Sequence, residues 1–233
     1  MTLHLHGKSS SVAMTGLFAS LIAVLDSTPM LPGFYSGVWD SWAFILSPLA
    51  GMLLGPVLGA SSVLVGSVLG HVIMTRDPYE SVFMFGAPVG AAVTGAVMQG
   101  HHRTVFAAYT LMFVPYLLTP VSRDLPLWGV WDTLGAWFLS VILCSKKRHS
   151  DSVDASFSVM TLCAAVLGLE ADVLFRLFLL VPCQTYSLFY GLTPDQLAVL
   201  WAAASIIVPA KVALATVFTA ALNKRLENVV ART

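Results

Sequence analysis

Apolar runs long enough to cross a bilayer follow one another along nearly the whole chain, at about 10–26, 41–75, 81–100, 104–121, 126–145, 156–181 and 196–222. Each is judged against the ~20 residues that a helix needs, at ~1.5 Å per residue, to cover ~30 Å of hydrocarbon. The polar stretches between them are short. The largest, SKKRHSDSVDA, is too small to fold alone, so the pattern predicts an all-α, polytopic membrane helix bundle with one domain over 1–233. The run from Ser41 to Ile73 is too long for a single span, and Gly55-Pro56 near its middle can turn the chain. Two short segments, about 41–57 and 58–75, bring the expected total to eight; one kinked helix there gives seven.

Composition agrees with this pattern. The 233 residues are 57% hydrophobic and 10% charged, with a mean hydropathy of +0.82, where a soluble domain carries roughly 25% charged residues. Twelve Lys and Arg balance twelve Asp and Glu, so no basic surface points to nucleic acid as a partner. With eight spans and the N-terminus inside, Lys8, Arg103, Lys146, Lys147, Arg148, Lys224, Arg225 and Arg232 fall in the cytoplasm and only Arg76 and Arg123 outside. The C-terminus is then cytoplasmic, in either count. Lys8 before an apolar run allows a signal peptide, but the run continues to Leu25 without an A-x-A-like site and is read as a retained first helix. Cys144, Cys163 and Cys183 fit neither a disulfide framework nor a zinc site and are expected to pack.

Small residues recur at helical spacing in two places. Thr15, Ala19 and Ala23 fall every four residues on the first helix, and Gly51, Gly55 and Gly59, followed by Gly66 and Gly70, do so in the next region. Such stripes permit close helix contact, either inside the bundle or at a docking face for a partner membrane protein.

The informative residues are ionisable groups inside spans, which cost several kcal/mol and mark functional candidates. Asp132, Glu170, Asp172, Arg176 and Lys211 qualify. Counted down from the outer end of each helix, Asp132 and Arg176 lie roughly 9 Å deep, Asp172 about 15 Å, Glu170 about 18 Å and Lys211 about 22 Å. Asp172 and Arg176, four residues apart, can pair directly, and Lys211 can answer Glu170. A purely structural ion-pair network and a ligand-binding cavity both fit this set. Aromatic residues gather at the same outer level: Trp39, Trp42, Tyr79, Trp128, Trp131, Tyr186 and Tyr190. They form either an interfacial belt or, with the carboxylates, the lining of a pocket that stacks a flat polar ligand. His71 is expected at the outer rim of that pocket, bonded to a neighbour. The pairs His4/His6 and His101/His102 lack further ligands at useful spacing, so neither metal nor cofactor is expected.

The stretch SPLAGMLLGPVLGASSVLVGSVLG, after a first helix with Ala19-x-x-x-Ala23 and a loop with Asp26, Pro29 and Pro32, resembles the membrane-embedded substrate-binding subunits (S components) of energy-coupling factor transporters. The ending VPAKVALATVFTAALNKRL is similar to that family's last helix. The resemblance implies a six-helix core, residence in a prokaryotic plasma membrane and capture of a vitamin or related nutrient in the outer half. It also implies two kinds of partner, a transmembrane coupling subunit and two cytoplasmic ATP-binding subunits. Thr15, Ala19 and Ala23 would then dock the coupling subunit. No Walker A sequence occurs here, which suits a transport subunit that is not itself an enzyme and borrows its energy.

On this reading Asp132, Glu170, Asp172, Arg176 and Lys211 supply charge to the substrate, Trp128, Trp131 and Tyr186 stack it, and His71 lines the rim. Two other classes compete. An intramembrane hydrolase would use Glu170 beside Asp172 and Arg176, but a second glutamate and further histidines are missing; a serine nucleophile in Gly59 to Ser62 has only a distant His71 as base. An autonomous secondary transporter would show repeats with matched broken helices, and Gly55-Pro56 has only Val181-Pro182 and Val208-Pro209 as echoes.

Overall fold

The computed structural model describes residues 8–28, 41–75, 80–145 and 153–230. Trp39, Tyr79, Pro29, Pro32, the His4/His6 pair and the loop cations Arg76, Lys146, Lys147 and Arg148 lie outside the described residues. Among those described, the structure is helical with no strands. The main helices are α1 (Lys8–Asp26), α2 (Ser47–Ile73), α3 (Gly86–Met98), α4 (His102–Leu118), α5 (Trp131–Ser145), α6 (Val153–Leu180) and α7 (Pro194–Val230). Single turns of helix occupy Trp42–Ile45, Glu80–Phe83, Pro120–Arg123, Leu127–Val130 and Thr185–Leu188.

Five helical stretches are long and apolar enough to cross a membrane: Ser9–Asp26, Ser47–Ile73, Ser81–Met98, Leu127–Ser145 and Pro194–Arg225. The chain is thus a multi-pass membrane protein by length and composition. Exposed Val12, Leu17 and Val24 on α1, Val57, Val65 and Val72 on α2 and Ile206, Leu214 and Val217 on α7 are the apolar surface that lipid would cover.

The centre of the fold is the break in α2. Gly55 has φ 80° and ψ 179°, a conformation open to glycine and strained for other residues, and Pro56 disfavours a helical residue before it. The two arms fold back on each other: a Cβ at Gly59 would stand 2.7 Å from Gly51 Cα and 2.8 Å from the Ala50 carbonyl oxygen. In a straight helix, residues eight apart are separated by roughly 12 Å. The first arm, residues 47–54, is buried at every position and reaches only roughly 12 Å. The arm is shorter than the ~30 Å of a hydrocarbon core. The expected segment 41–57 is a single turn followed by this buried arm, and Ser47–Ile73 as a whole is one candidate span by length and composition.

The remaining packing follows from small residues. α1 lies against the long arm of α2, where a Cβ at Gly66 would stand 2.7 Å from the Ala19 carbonyl oxygen and from Ile22 Cβ. α3 sits between α2 and α6: Gly51 faces Ala91 and Thr94, while Gly90 faces the Gly168 carbonyl on α6. α3 and α6 run antiparallel, since Gly86 meets Asp172 and Gly90 meets Gly168. α4, α5 and the start of α7 complete a second core with α6, built on Tyr109, Phe113, Tyr116, Leu167, Leu174 and Trp201. The turn Trp42–Ile45 packs Phe44 against Leu169 and Val173 of α6 and Val208 and Val212 of α7.

Candidate functional site

α6 carries the buried charges, and its neighbours decide their partners. Asp172 and Arg176 pair as their spacing predicts, with Arg176 Nε donating to Asp172 Oδ1 and Nη2 to Oδ2 at 3.4 Å. Both side chains are largely buried, at 7% and 14% exposure. Gly86, at the start of α3, leaves the space they fill; a Cβ there would run into Asp172 Oδ1 and come within 3.0 Å of Arg176 Nε. A carboxylate at a helix N-terminus also meets the positive end of that helix. Asp172 is thus held from two directions.

Glu170 points elsewhere. At 2% exposure it is among the most buried side chains, and it accepts a hydrogen bond from Thr133 Oγ1 of α5 at 3.2 Å. The carboxylates of Asp132 and Asp172 are its charged neighbours. Asp132 Oδ1 accepts the Thr133 backbone N–H at 2.8 Å, so the first turn of α5 fixes both the acid and the hydroxyl. Tyr109, fully buried on α4, donates its hydroxyl to the Leu167 carbonyl one turn before Glu170. Lys211, the answer expected for Glu170, lies half-buried on α7. The Thr133–Glu170 bond also bears on where these residues lie along their helices. The expected depths of Asp132 and Glu170 differ by roughly 9 Å, yet Thr133, next to Asp132, reaches the Glu170 carboxylate; the turns Pro120–Arg123 and Leu127–Val130 precede α5.

A second polar contact joins the matching ends of α1 and α2. His71 Nδ1 lies 2.9 Å from Asp26 Oδ2 and 2.9 Å from the Ser67 carbonyl oxygen. Asp26 is 4% exposed and rests over Gly70, where a Cβ would stand 2.6 Å from its own Cβ. His71 is thus a bonded residue, as expected, but its contacts are with α1 and its own helix.

The other expected residues disperse. Trp128 and Trp131 are more than half exposed, and the Trp131 indole donates to the Ser205 carbonyl of α7 at 3.1 Å. Tyr186 is buried in the core with Val181 and Leu197. Ala19 and Ala23 are each 5% exposed, with Ala19 against Gly66 of α2, and Thr15 returns its hydroxyl to the Ser11 carbonyl. In the Thr15/Ala19/Ala23 stripe, Ala19 and Ala23 are thus buried and Thr15 is half-buried, which favours internal packing, the first of its two readings, for the two alanines. Thr133, Tyr109 and Asp26 were missed as partners. A hydroxyl directly after an intramembrane aspartate was a usable signal for Thr133; nothing local marks the other two. Among the described residues, no three His, Cys, Asp or Glu side chains gather closely enough to hold a metal ion.

The chain was compared with protein-family models, curated proteins and solved structures, and none matches it.

Proposed function

We propose that this protein is the membrane-embedded substrate-capture subunit of an energy-coupling factor type importer, taking a small water-soluble nutrient in its outer half. The sequence resemblance at both ends of the chain suggests the class. The observation that carries the reading is the group of buried Glu170 and Thr133 with half-buried Asp132, two carboxylates drawn together inside an apolar helical bundle. Acidic groups at that depth are costly, and a solute-binding role is what commonly retains them. The break in α2 at Gly55 adds support: broken helices in transporters accompany sites near the bilayer midplane.

In this reading Asp172 and Arg176 hold α6 to α3, while Asp132, Glu170 and the Thr133 hydroxyl meet the solute. Acid in excess at the site favours a ligand bearing an amine or other cationic group. A transmembrane coupling subunit and two cytoplasmic ATP-binding subunits provide the energy, the membrane is the prokaryotic cell membrane, and the C-terminus of α7 is cytoplasmic. Uptake measured in cells with and without the ATP-binding subunits tests this. Accumulation that needs them supports capture. Accumulation by this chain alone marks a secondary carrier, and turnover of a lipid or peptide marks an enzyme; either result overturns the proposal.

A further inference from the structure

The Asp26–His71 contact carries a second, separate consequence. Two acceptors, the Asp26 carboxylate and the Ser67 carbonyl, both stand 2.9 Å from Nδ1. Neither can donate, so Nδ1 must hold the hydrogen. In the neutral imidazole this leaves Nε2 as a bare acceptor, and the hydrogen bonds that His71 makes all involve Nδ1. The side chain keeps 11% exposure, so the ring is held by its inner nitrogen with its outer edge reachable. Fixing one ring nitrogen with a carboxylate is how proteins aim the other at a target. The setting is rigid: Asp26 is buried, and Gly70 beneath it has no room for a Cβ.

We propose that His71 Nε2 is a preset hydrogen-bond acceptor at the common end of α1 and α2, a subsite for an N–H or O–H donor of a bound solute. Where the solute is a captured nutrient this rests on the reading above, and it adds a neutral donor group to the cationic one that Asp132 and Glu170 favour. The subsite lies on the α1–α2 pair, whereas the carboxylates lie on α5 and α6.

The test uses the full chain in detergent with ¹⁵N-labelled histidine, His71 being assigned by its loss in His71→Gln. At alkaline pH the ring is expected to carry its proton on Nδ1, with Nε2 unprotonated. Phenol, a flat O–H donor, should shift the Nε2 resonance saturably, while anisole, of the same shape without the donor, should not. A proton on Nε2, or equal responses to phenol and anisole, overturns the proposal. Both readouts concern the imidazole alone, so they can fail while nutrient capture stands, and hold while it fails.

Discussion

Thr133 of α5 donates its hydroxyl to the Glu170 carboxylate of α6 at 3.2 Å, across 37 residues of sequence, and Glu170 is buried to 2% exposure. The bond sets α5 against α6 and places Asp132 beside the same carboxylate. Thr133→Val keeps the shape and removes the donor. Hydrogen bonds between membrane helices are worth about 0.6 kcal/mol on average and up to about 1.7, and a buried carboxylate belongs toward the upper figure. The melting temperature in detergent should fall for Thr133→Val and be largely retained by Thr133→Ser; equal values for Val and wild type would remove the bond from the site.

The fold-back at Gly55 makes a different demand. An alanine there must adopt a positive φ with an extended ψ, a region almost confined to glycine, at a cost of about 1–3 kcal/mol. Gly59→Val should be worse, because its Cβ meets the backbone of Ala50 and Gly51. Gly16→Val serves as the control, since nothing lies within 4 Å of a Cβ at that position. Size-exclusion profiles and thermal melts should rank Gly16→Val with the wild type and Gly59→Val last.

Bulk at Ala19 or Ala23 should act on stability before it acts on assembly. Both side chains are buried, Ala19 beside Gly66 of α2, and overpacking such a seam costs about 1–3 kcal/mol. Ala19→Leu should therefore lower the melting temperature of the isolated protein, with no partner subunit present. An unchanged melt together with loss of complex formation would restore these residues to a docking role.

The Asp172–Arg176 pair should be strongly non-additive. Removing one member of a buried ion pair costs about 3–5 kcal/mol, because the other charge is left without compensation; partial exposure of Arg176 reduces that figure. Arg176→Met should thus be more damaging than Arg176→Met combined with Asp172→Asn. A double-mutant cycle on thermal or denaturant stability checks it, and additive losses would count against coupling.

Much of this architecture was legible in the sequence where the signal is local. Runs of apolar residues gave the helices and their order, Gly55-Pro56 marked the break, and the four-residue spacing of Asp172 and Arg176 gave their pair, since helical geometry alone puts such residues on one face. What happens after a break is not local. The fold-back of residues 47–54 depends on Gly51, Gly59 and Gly95 removing side chains from one crowded point, and that appears only when three elements meet. Asp26 and His71 stand 45 residues apart, and neither helix alone identifies the other as its partner. Counting depth along each helix does not reveal the Thr133–Glu170 bond for a related reason: it treats helices singly, whereas the bond joins the first turn of α5 to the middle of α6.

The substrate-capture reading stands or falls on whether the protein holds a small molecule. The full chain is purified in mild detergent, denatured, and its released small molecules identified by mass spectrometry, beside a thermal-shift screen of vitamins and their precursors; stabilisation by a ligand at 100 times its dissociation constant is about 2.7 kcal/mol. Capture predicts one co-eluting, vitamin-like molecule, or a large shift with one member of the panel, that is lost in Glu170→Leu. A protein that carries nothing, and whose melting temperature no member of the panel moves, would contradict it.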